Sequence, residues 1–322
     1  MPRPPCARFW RECGFLQSVM KGAPAEVWRG SESRVAWALA MPALGAIVIL
    51  AVFPILWTVW ESLHLHDLRM PWLGRPFVGG DNYIEALGDQ RFRSALAHTG
   101  VFVAITLALE IAAGLMLAMA LERVSRGRGL VRTAVLLPWA VPTVVAALIW
   151  RYIFESPAGL ASALATLAGV RPPTWFADSL AAWIPLVLAD AWKTTPFVAL
   201  LLLAGLQNID STLYEAAVMD GAGPGRQFVH VTLPLLRPTL FVTVLFRGLD
   251  AFRVFDVVYV MTGGGPGTAT EPIALYTFNA TLQNLRFGFG SALSVIVFTV
   301  AFCGALAAIR LFGADTFGER PA

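Results

Sequence analysis

Four charged residues recur at every third position of an otherwise apolar stretch: Arg247, Asp250, Arg253 and Asp256. Charges within the hydrocarbon of a membrane cost roughly 2.5–3.5 kcal/mol each, so they must face water or one another. Residues three apart on a helix can pair with opposite sign, although steps of three spread the four side chains around the helix. The spacing therefore predicts an internal ladder of ion pairs, a polar lining for a water-filled cavity, or both.

The composition of the chain indicates a membrane environment for these charges. Of the 322 residues, 57% are hydrophobic and 14% are charged, against roughly 45–50% and 25% in soluble domains. This balance argues against a disordered chain, a disulfide scaffold or a nucleic-acid-binding domain. The cysteines Cys6, Cys13 and Cys303 have no metal-ligand spacing, and no nucleophile pair stands out, so neither a metal site nor a catalytic residue is expected.

Six apolar stretches are long enough to cross the bilayer as helices, since a crossing needs about 20 residues. They are 35–60, 97–121, 133–154, 180–206, 239–261 and 287–310. Fourteen Lys and Arg residues lie on the side of the two termini and six on the other side. The positive-inside rule therefore predicts cytoplasmic termini, with 1–34 as a cytoplasmic leader rather than a signal peptide and 311–322 as a cytoplasmic tail.

Two outer segments also have readable patterns. The stretch 81–96 places apolar residues on one helical face and predicts a single helix lying along the membrane surface. The glycine-rich stretch 262–271 predicts an abrupt end to the fifth span.

The cytoplasmic loop 207–238 predicts two short helices separated by a glycine turn. Thr212 and Glu215 have the spacing of a capping box, which indicates a helix over about 211–220. A second short helix is expected over 224–233, between two prolines. Two capped helices in a membrane-protein loop favour a docking element for a soluble partner.

This loop resembles the EAA motif of ABC importer permeases. The matching residues are Glu215, Ala216, Ala217, Asp220, Gly221, Leu233 and Pro234. The resemblance implies that the loop fits a cleft on an ATPase subunit and transmits its opening and closing. It covers about 35–310 and implies an all-α, six-helix transmembrane domain of the type I importer class, with its core at 97–310.

Three stretches, 136–154, 192–209 and 255–267, resemble the carbohydrate-uptake permeases, and within them the first permease subunit of maltose- and trehalose-type importers. The implied substrate is a neutral sugar, such as an α-linked disaccharide. Positions that match sugar-contacting residues of the family are Lys193, Thr194, Phe197, Arg247, Asp250, Ala251 and Val254. Ala251 and Val254 stand where the family has polar amides, and Lys193 could instead neutralise Asp190 or an acid on the fifth span.

The resemblance also implies an assembly in the cytoplasmic membrane of a bacterium. Its other members would be a second permease subunit, an ATPase dimer and an external solute-binding protein, surrounded by lipid and without nucleic acid. Because the chain has no GxxxxGK[ST] sequence, ATP and Mg²⁺ would be used by the ATPase partner, and the chain itself would be no enzyme and hold no cofactor.

Three alternatives stay open at this point. The cations Lys193, Arg247 and Arg253 could serve a glycerol-phosphate importer, although Asp190, Asp250 and Asp256 nearly cancel their charge. The chain could also belong to an importer of another oligosaccharide. Intramembrane aspartates could instead act as proton relays in a secondary transporter, although the EAA-like loop argues against that class.

Overall fold

The computed structural model describes residues 25–124 and 126–310, and within them every regular element is helical. The α-helices are α1 Ala25–Ile47, α2 Phe53–Ser62, α3 Asp81–Gly88, α4 Gln90–Arg123, α5 Arg128–Ala140, α6 Thr143–Phe154, α7 Leu160–Leu167, α8 Trp183–Gln207, α9 Ser211–Met219, α10 Pro224–Gln227, α11 Leu233–Phe252, α12 Asp256–Met261, α13 Ile273–Phe278 and α14 Phe287–Ala308. π-Helical turns occur at Val48–Val52, Phe228–Thr232 and Asn279–Gln283, and a 3₁₀ turn at Pro71–Leu73. The predicted all-α class is confirmed for this part of the chain.

Five of the described helices are long and apolar enough to cross a membrane. They are Ala36–Ser62, Gln90–Arg123, Trp183–Gln207, Pro224–Phe252 and Phe287–Ala308. α5 and α6 together form a sixth crossing if they count as one span. The two helices meet at an angle of 83°. Each of the six predicted stretches overlaps one of these spans.

The chain divides into two compact units between Trp60 and Glu61. In the first unit, α1 begins at Ala25, so the predicted boundary of the leader at residue 34 lies within a helix. The rest of the predicted leader and the tail 311–322 lie outside the described residues. Apolar side chains are exposed along the first span, with Leu39 and Leu50 each 76% exposed, as expected for a helix that meets lipid.

The second unit is built around α4 and α8, which pack lengthwise against each other. Glycine makes this approach possible, because a Cβ on Gly114 would lie 2.7 Å from Cγ1 of Val198. A Cβ on Gly205 would likewise lie 2.6 Å from Oγ1 of Thr239 on α11. Small residues at such crossings let membrane helices approach closely.

The fifth span differs from the prediction at both ends. Its helix begins at Pro224 and runs without interruption through the predicted end before Pro234 to Phe252. The π turn Phe228–Thr232 explains the continuity, because the N–H of Leu233 bonds the carbonyl of Phe228 and the proline then falls in the first turn of α11. The helix stops nine residues before the predicted end at 261, and the last turns form the separate helix α12.

The outer stretch 81–96 is two helices rather than one. The Asp89 carboxylate accepts a 2.8 Å hydrogen bond from the N–H of Arg91, which caps the start of α4. Phe92 is consequently buried in the bundle, whereas Ile84 on α3 is 72% exposed. The prediction of one continuous surface helix was wrong because the capping aspartate went unrecognised.

Candidate substrate cavity and coupling loop

A central cavity of about 260 Å³ opens between the α5–α6 break, α8, and the region where α11 gives way to α12. Its lining residues are Trp139, Thr143, Asp190, Lys193, Thr194, Arg247, Asp250, Ala251, Arg253, Val254, Phe255, Asp256 and Val257. Of the seven sequence-predicted binding residues, six line this cavity and Phe197 does not. The fold therefore brings together residues that lie more than 50 positions apart in the chain.

Arg247 contributes to the cavity lining although it is only 3% exposed. Its Nε lies 2.6 Å from Oε2 of Glu110, and its Nη2 lies 2.8 Å from Oε1 of the same carboxylate. Nη2 also bonds Asp190, and Nη1 lies 3.0 Å from Oδ2 of Asp250. Bidentate pairing of this kind is strong and directional. One guanidinium thus joins α4, α8 and α11.

Glu110 is the functional-site residue that the sequence interpretation missed. It is fully buried, and its Oε1 also lies 2.6 Å from the hydroxyl of Thr194. The same hydroxyl lies 2.7 Å from the backbone carbonyl of Asp190. The sequence offered one indication of this role. Glu110 is a single carboxylate in the middle of the apolar stretch 97–121, and such a charge needs a partner inside the bundle.

The predicted ladder of ion pairs forms for two of its three steps. Asp250 lies 3.0 Å from Arg247 and 3.5 Å from Arg253, with both pairs at i,i+3. The backbone leaves the helix at Arg253, so Asp256 lies on α12 and begins a new helix. Within the described chain, Asp256 therefore adds an acid to the cavity lining without continuing the ladder.

Lys193 does not form the direct ion pair with Asp190 that was weighed for it. Its ammonium donates to the backbone carbonyls of Trp139 at 3.0 Å and Val141 at 2.8 Å, on either side of the break between α5 and α6. Asp190 forms its direct ion pair with Arg247 instead. Lys193 nevertheless lines the cavity, so a ligand there would meet it.

Phe197 supports the cavity from outside. Its ring stacks on the ring of Trp139 with centroids 5.5 Å apart and an interplanar angle of 13°. A second contact, at 5.8 Å, joins Phe197 to Phe246 on α11. The aromatic side chains that line the cavity are therefore Phe255 and Trp139, and the sequence interpretation did not select Trp139.

The loop at the other end of the fifth span begins with α9, as the motif predicts. Its cap is Asp210, whose carboxylate accepts a 2.9 Å hydrogen bond from the N–H of Thr212. This bond lowers the pKa of Asp210. The capping-box prediction for Thr212 and Glu215 was therefore wrong, because Asp210 has the extended backbone and the short carboxylate that a cap requires.

Gly221 ends α9 with a positive φ of +73°. The N–H of Gly221 bonds the carbonyl of Val218 at 2.9 Å, and the N–H of Ala222 bonds that of Ala217 at 2.8 Å. These two bonds define a Schellman motif, in which glycine is favoured because the left-handed conformation strains other residues. The glycine that the EAA-like motif has at position 221 is therefore explained by the positive φ that the backbone needs there.

The loop carries an exposed surface that is partly apolar. Met219 is 87% exposed and Val218 is 59% exposed. Of the residues that match the EAA motif, Glu215, Ala216, Asp220 and Gly221 are also exposed. Ala217, Leu233 and Pro234 are partly buried. A 3.0 Å hydrogen bond between the hydroxyls of Tyr214 and Thr232 holds α9 against the start of the fifth span.

The outer stretch 262–271 is a compact structure that follows α12. Glu271, which is 2% exposed, accepts hydrogen bonds from Nε and Nη2 of Arg91 at 2.7 and 2.8 Å. Asn279 donates a third, at 3.0 Å. The predicted abrupt end applies only to α12, which ends at Met261, because the long helix of the fifth span already stops at Phe252. The buried carboxylate fastens the turn to α4.

Membrane-crossing helices around a polar cavity, together with an exposed helical loop, define a permease subunit. The chain belongs to the family described as binding-protein-dependent transport system inner membrane component, whose model matches residues 110–312. It is therefore an integral inner-membrane subunit of an ABC importer rather than an enzyme.

Named relatives extend this result over nearly the whole chain. The trehalose/maltose transport system permease protein MalF of Thermococcus litoralis is 41% identical over 270 residues, which cover 84% of this chain and 90% of that protein. The trehalose transport system permease protein SugA of Mycobacterium tuberculosis is 38% identical over 297 residues, covering 91% and 93%.

A solved structure supports the fold. The crystal structure of a bacterial ABC transporter involved in the import of the acidic polysaccharide alginate contains a chain that matches with a TM-score of 0.78 at 20% identity. The match covers 90% of this chain and 99% of that one. The type I importer fold expected from the sequence is confirmed.

Proposed function

We propose that the chain moves a neutral sugar, an α-linked disaccharide of the trehalose or maltose type, through the cavity beside Arg247. The observation that carries the proposal is the charge balance of that cavity. Its lining contains three acids and three bases, and the buried Arg247 is already paired with Glu110, Asp190 and Asp250. A phosphate group would need an uncompensated cation, so the balance favours a polyhydroxylated, uncharged ligand over glycerol phosphate.

The exposed groups of the lining suit the two surfaces of a sugar. The side chains of Asp250 and Arg253 are 52% and 75% exposed, and they can hydrogen-bond hydroxyl groups. Trp139 and Phe255 offer aromatic faces for the apolar C–H surface of the ring. The names of the trehalose/maltose and trehalose relatives agree with this substrate class.

The size of the cavity supports a shared site. At about 260 Å³ it is smaller than the roughly 300–1,000 Å³ of most ligand pockets. A second permease subunit would supply the remaining wall, and an external solute-binding protein would deliver the sugar to it.

The continuous helix Pro224–Phe252 supports a mechanism for coupling. It connects the loop around Gly221 to Arg247 and Asp250 over 29 residues, a length of about 40 Å. An ATPase dimer that closes on ATP and Mg²⁺ would move the loop. The rigid helix would carry that movement to the cavity, which alternates between the two sides of the membrane. The chain contributes no cofactor to this cycle.

Uptake by the reconstituted importer tests the proposal. Trehalose and maltose should compete for uptake of a labelled disaccharide, whereas sn-glycerol 3-phosphate should not. Asp250→Asn should raise the KM for the sugar about tenfold, while Asp178→Asn, at an exposed outer position, should leave it unchanged. Competition by the phosphate ester alone would refute the neutral-sugar proposal. Uptake that survives an inactive ATPase and collapses with an uncoupler would indicate a secondary transporter instead.

A further inference from the structure

The third span is broken at the cavity wall. α5 ends at Ala140, α6 begins at Thr143, and the two helices meet at 83°. Pro142 lies between them and has no N–H to donate. Broken helices within a membrane leave backbone carbonyls that need donors from elsewhere in the protein, because lipid supplies none.

Lys193 on α8 supplies those donors. Its ammonium bonds the carbonyls of Trp139 and Val141, which flank Ala140 at the end of α5, at 3.0 and 2.8 Å. A cation at the carboxyl end of a helix also meets the negative end of the helix dipole. Lys193 thus gives the two carbonyls hydrogen-bond donors and places a positive charge at the negative end of α5.

A second contact from α8 reaches the same break. Phe197 lies four residues after Lys193, on the same face of the helix, and stacks on the ring of Trp139. Trp139 and Thr143, on the two sides of the break, both line the cavity. The angle between α5 and α6 therefore determines where two wall residues of the cavity lie.

We propose that Lys193 is a positioning residue that holds the third span in its bent form and so sets the shape of the substrate cavity. Two of the three ammonium donors serve the carbonyls, and the third is available to a ligand. Loss of the ammonium thus alters the cavity even when no ligand is bound. The effect on transport rests on the proposed function, whereas the effect on the bend does not.

The bend can be measured directly as the distance between two spin labels, by double electron–electron resonance spectroscopy. Spin labels at Leu130→Cys on α5 and Tyr152→Cys on α6 would report it, since these side chains are 79% and 69% exposed. The importer would be assembled in nanodiscs with its three native cysteines replaced by serine. Lys193→Met should broaden and shift the ligand-free distance distribution, and Lys193→Arg should restore it because the guanidinium also donates.

The matched control is Arg253→Met, which removes another cation of the cavity lining that directly follows α11 and lies away from the break. It should leave the distance distribution unchanged. If Lys193→Met does not assemble, Lys193→Gln carries the same comparison, since its shorter amide cannot span both carbonyls.

Transport kinetics separate positioning from simple ligand contact. Displacement of wall residues by Lys193→Met should raise the KM for trehalose by about tenfold or more, together with the altered bend. A raised KM with an unaltered ligand-free distance distribution would overturn the proposal and leave Lys193 as a contact residue only. If Lys193→Met alters the bend but the wild-type importer takes up neither trehalose nor maltose, the positioning role stands and the proposed substrate is refuted.

Discussion

The guanidinium of Arg247 and the carboxylate of Glu110 meet through two hydrogen bonds of 2.6 and 2.8 Å, although 137 residues separate them in the chain. Both residues are buried, and Asp190 joins them from a third helix. Because charges in the low-dielectric interior are stable only when paired, this contact ties the α4–α8 pair to the helix that leads to the coupling loop.

Removal of the two partners should have unequal effects on stability. Breaking a buried ion pair costs roughly 3–5 kcal/mol, and we expect Arg247→Met to fall at that level because it leaves Glu110 and Asp190 uncompensated. Glu110→Gln should cost less, since Asp190 still pairs with Arg247 and the amide oxygen still accepts a hydrogen bond. Thermal unfolding of the purified importer measures both.

Glu122→Gln is the control, because Glu122 lies exposed near the end of the same helix. It should change stability by less than about 0.5 kcal/mol. The account of the cluster is wrong if Glu110→Gln destabilises as much as Arg247→Met.

Two glycines of α4 provide a matched test of helix packing. A Cβ on Gly114 would lie 2.7 Å from Cγ1 of Val198, whereas a Cβ on Gly100 has no heavy atom within 4 Å. Gly114→Ala should therefore destabilise the bundle by about 1–3 kcal/mol through overpacking. Gly100→Ala should be neutral or stabilising by up to about 1 kcal/mol, since alanine favours the helix. Equal unfolding temperatures for the two variants would contradict the observed approach of α4 and α8.

The sequence predicts the spans well because each depends on local composition, and it predicts the start of α9 because the motif is local too. Six of the seven predicted binding residues line the cavity for a different reason: they were transferred from a family with the same fold. Glu110 was missed because its role exists only through a contact 137 residues away. The continuity of the fifth span past Pro234 depends on a π turn, and such a turn has no characteristic residue type by which it could be predicted.

A substitution at Gly221 should weaken the proposed docking of an ATPase subunit without disturbing the bundle. Its φ of +73° disfavours any residue with a Cβ, at a cost of about 1–2 kcal/mol. Gly221→Ala should consequently reduce the population of the folded loop and lower recovery of the ATPase with tagged permease by about fivefold or more. Gly225→Ala, which lies in α10 without a positive φ and with open space around it, is the control. Full recovery with Gly221→Ala would show that the glycine turn plays no part in docking.

The outer connection near Asp67 should contribute stability that depends on pH. Side-chain hydrogen bonds from Arg69, at 2.6 and 2.9 Å, lower the pKa of Asp67 from 3.8 to about 2. The segment is joined to the start of α14, since the N–H of Leu68 bonds the carbonyl of Leu285 at 3.0 Å and Arg286 lies 3.9 Å from the carboxylate.

Because the pKa of Asp67 is lower in the folded protein, protons bind preferentially to the unfolded chain. The stabilisation by the carboxylate is therefore complete above pH 4 or so and is lost as the pH falls toward about 2. The difference in unfolding temperature between the wild-type protein and Asp67→Asn should be constant from pH 7 to 5 and should shrink at pH 2.5. In an Arg69→Gln background, the pH at which the stabilisation by Asp67 is lost should rise toward the ordinary pKa of a carboxyl group. A difference that grows on acidification would contradict the assigned role of Arg69, since it would mean that protonation of Asp67 favours the folded state.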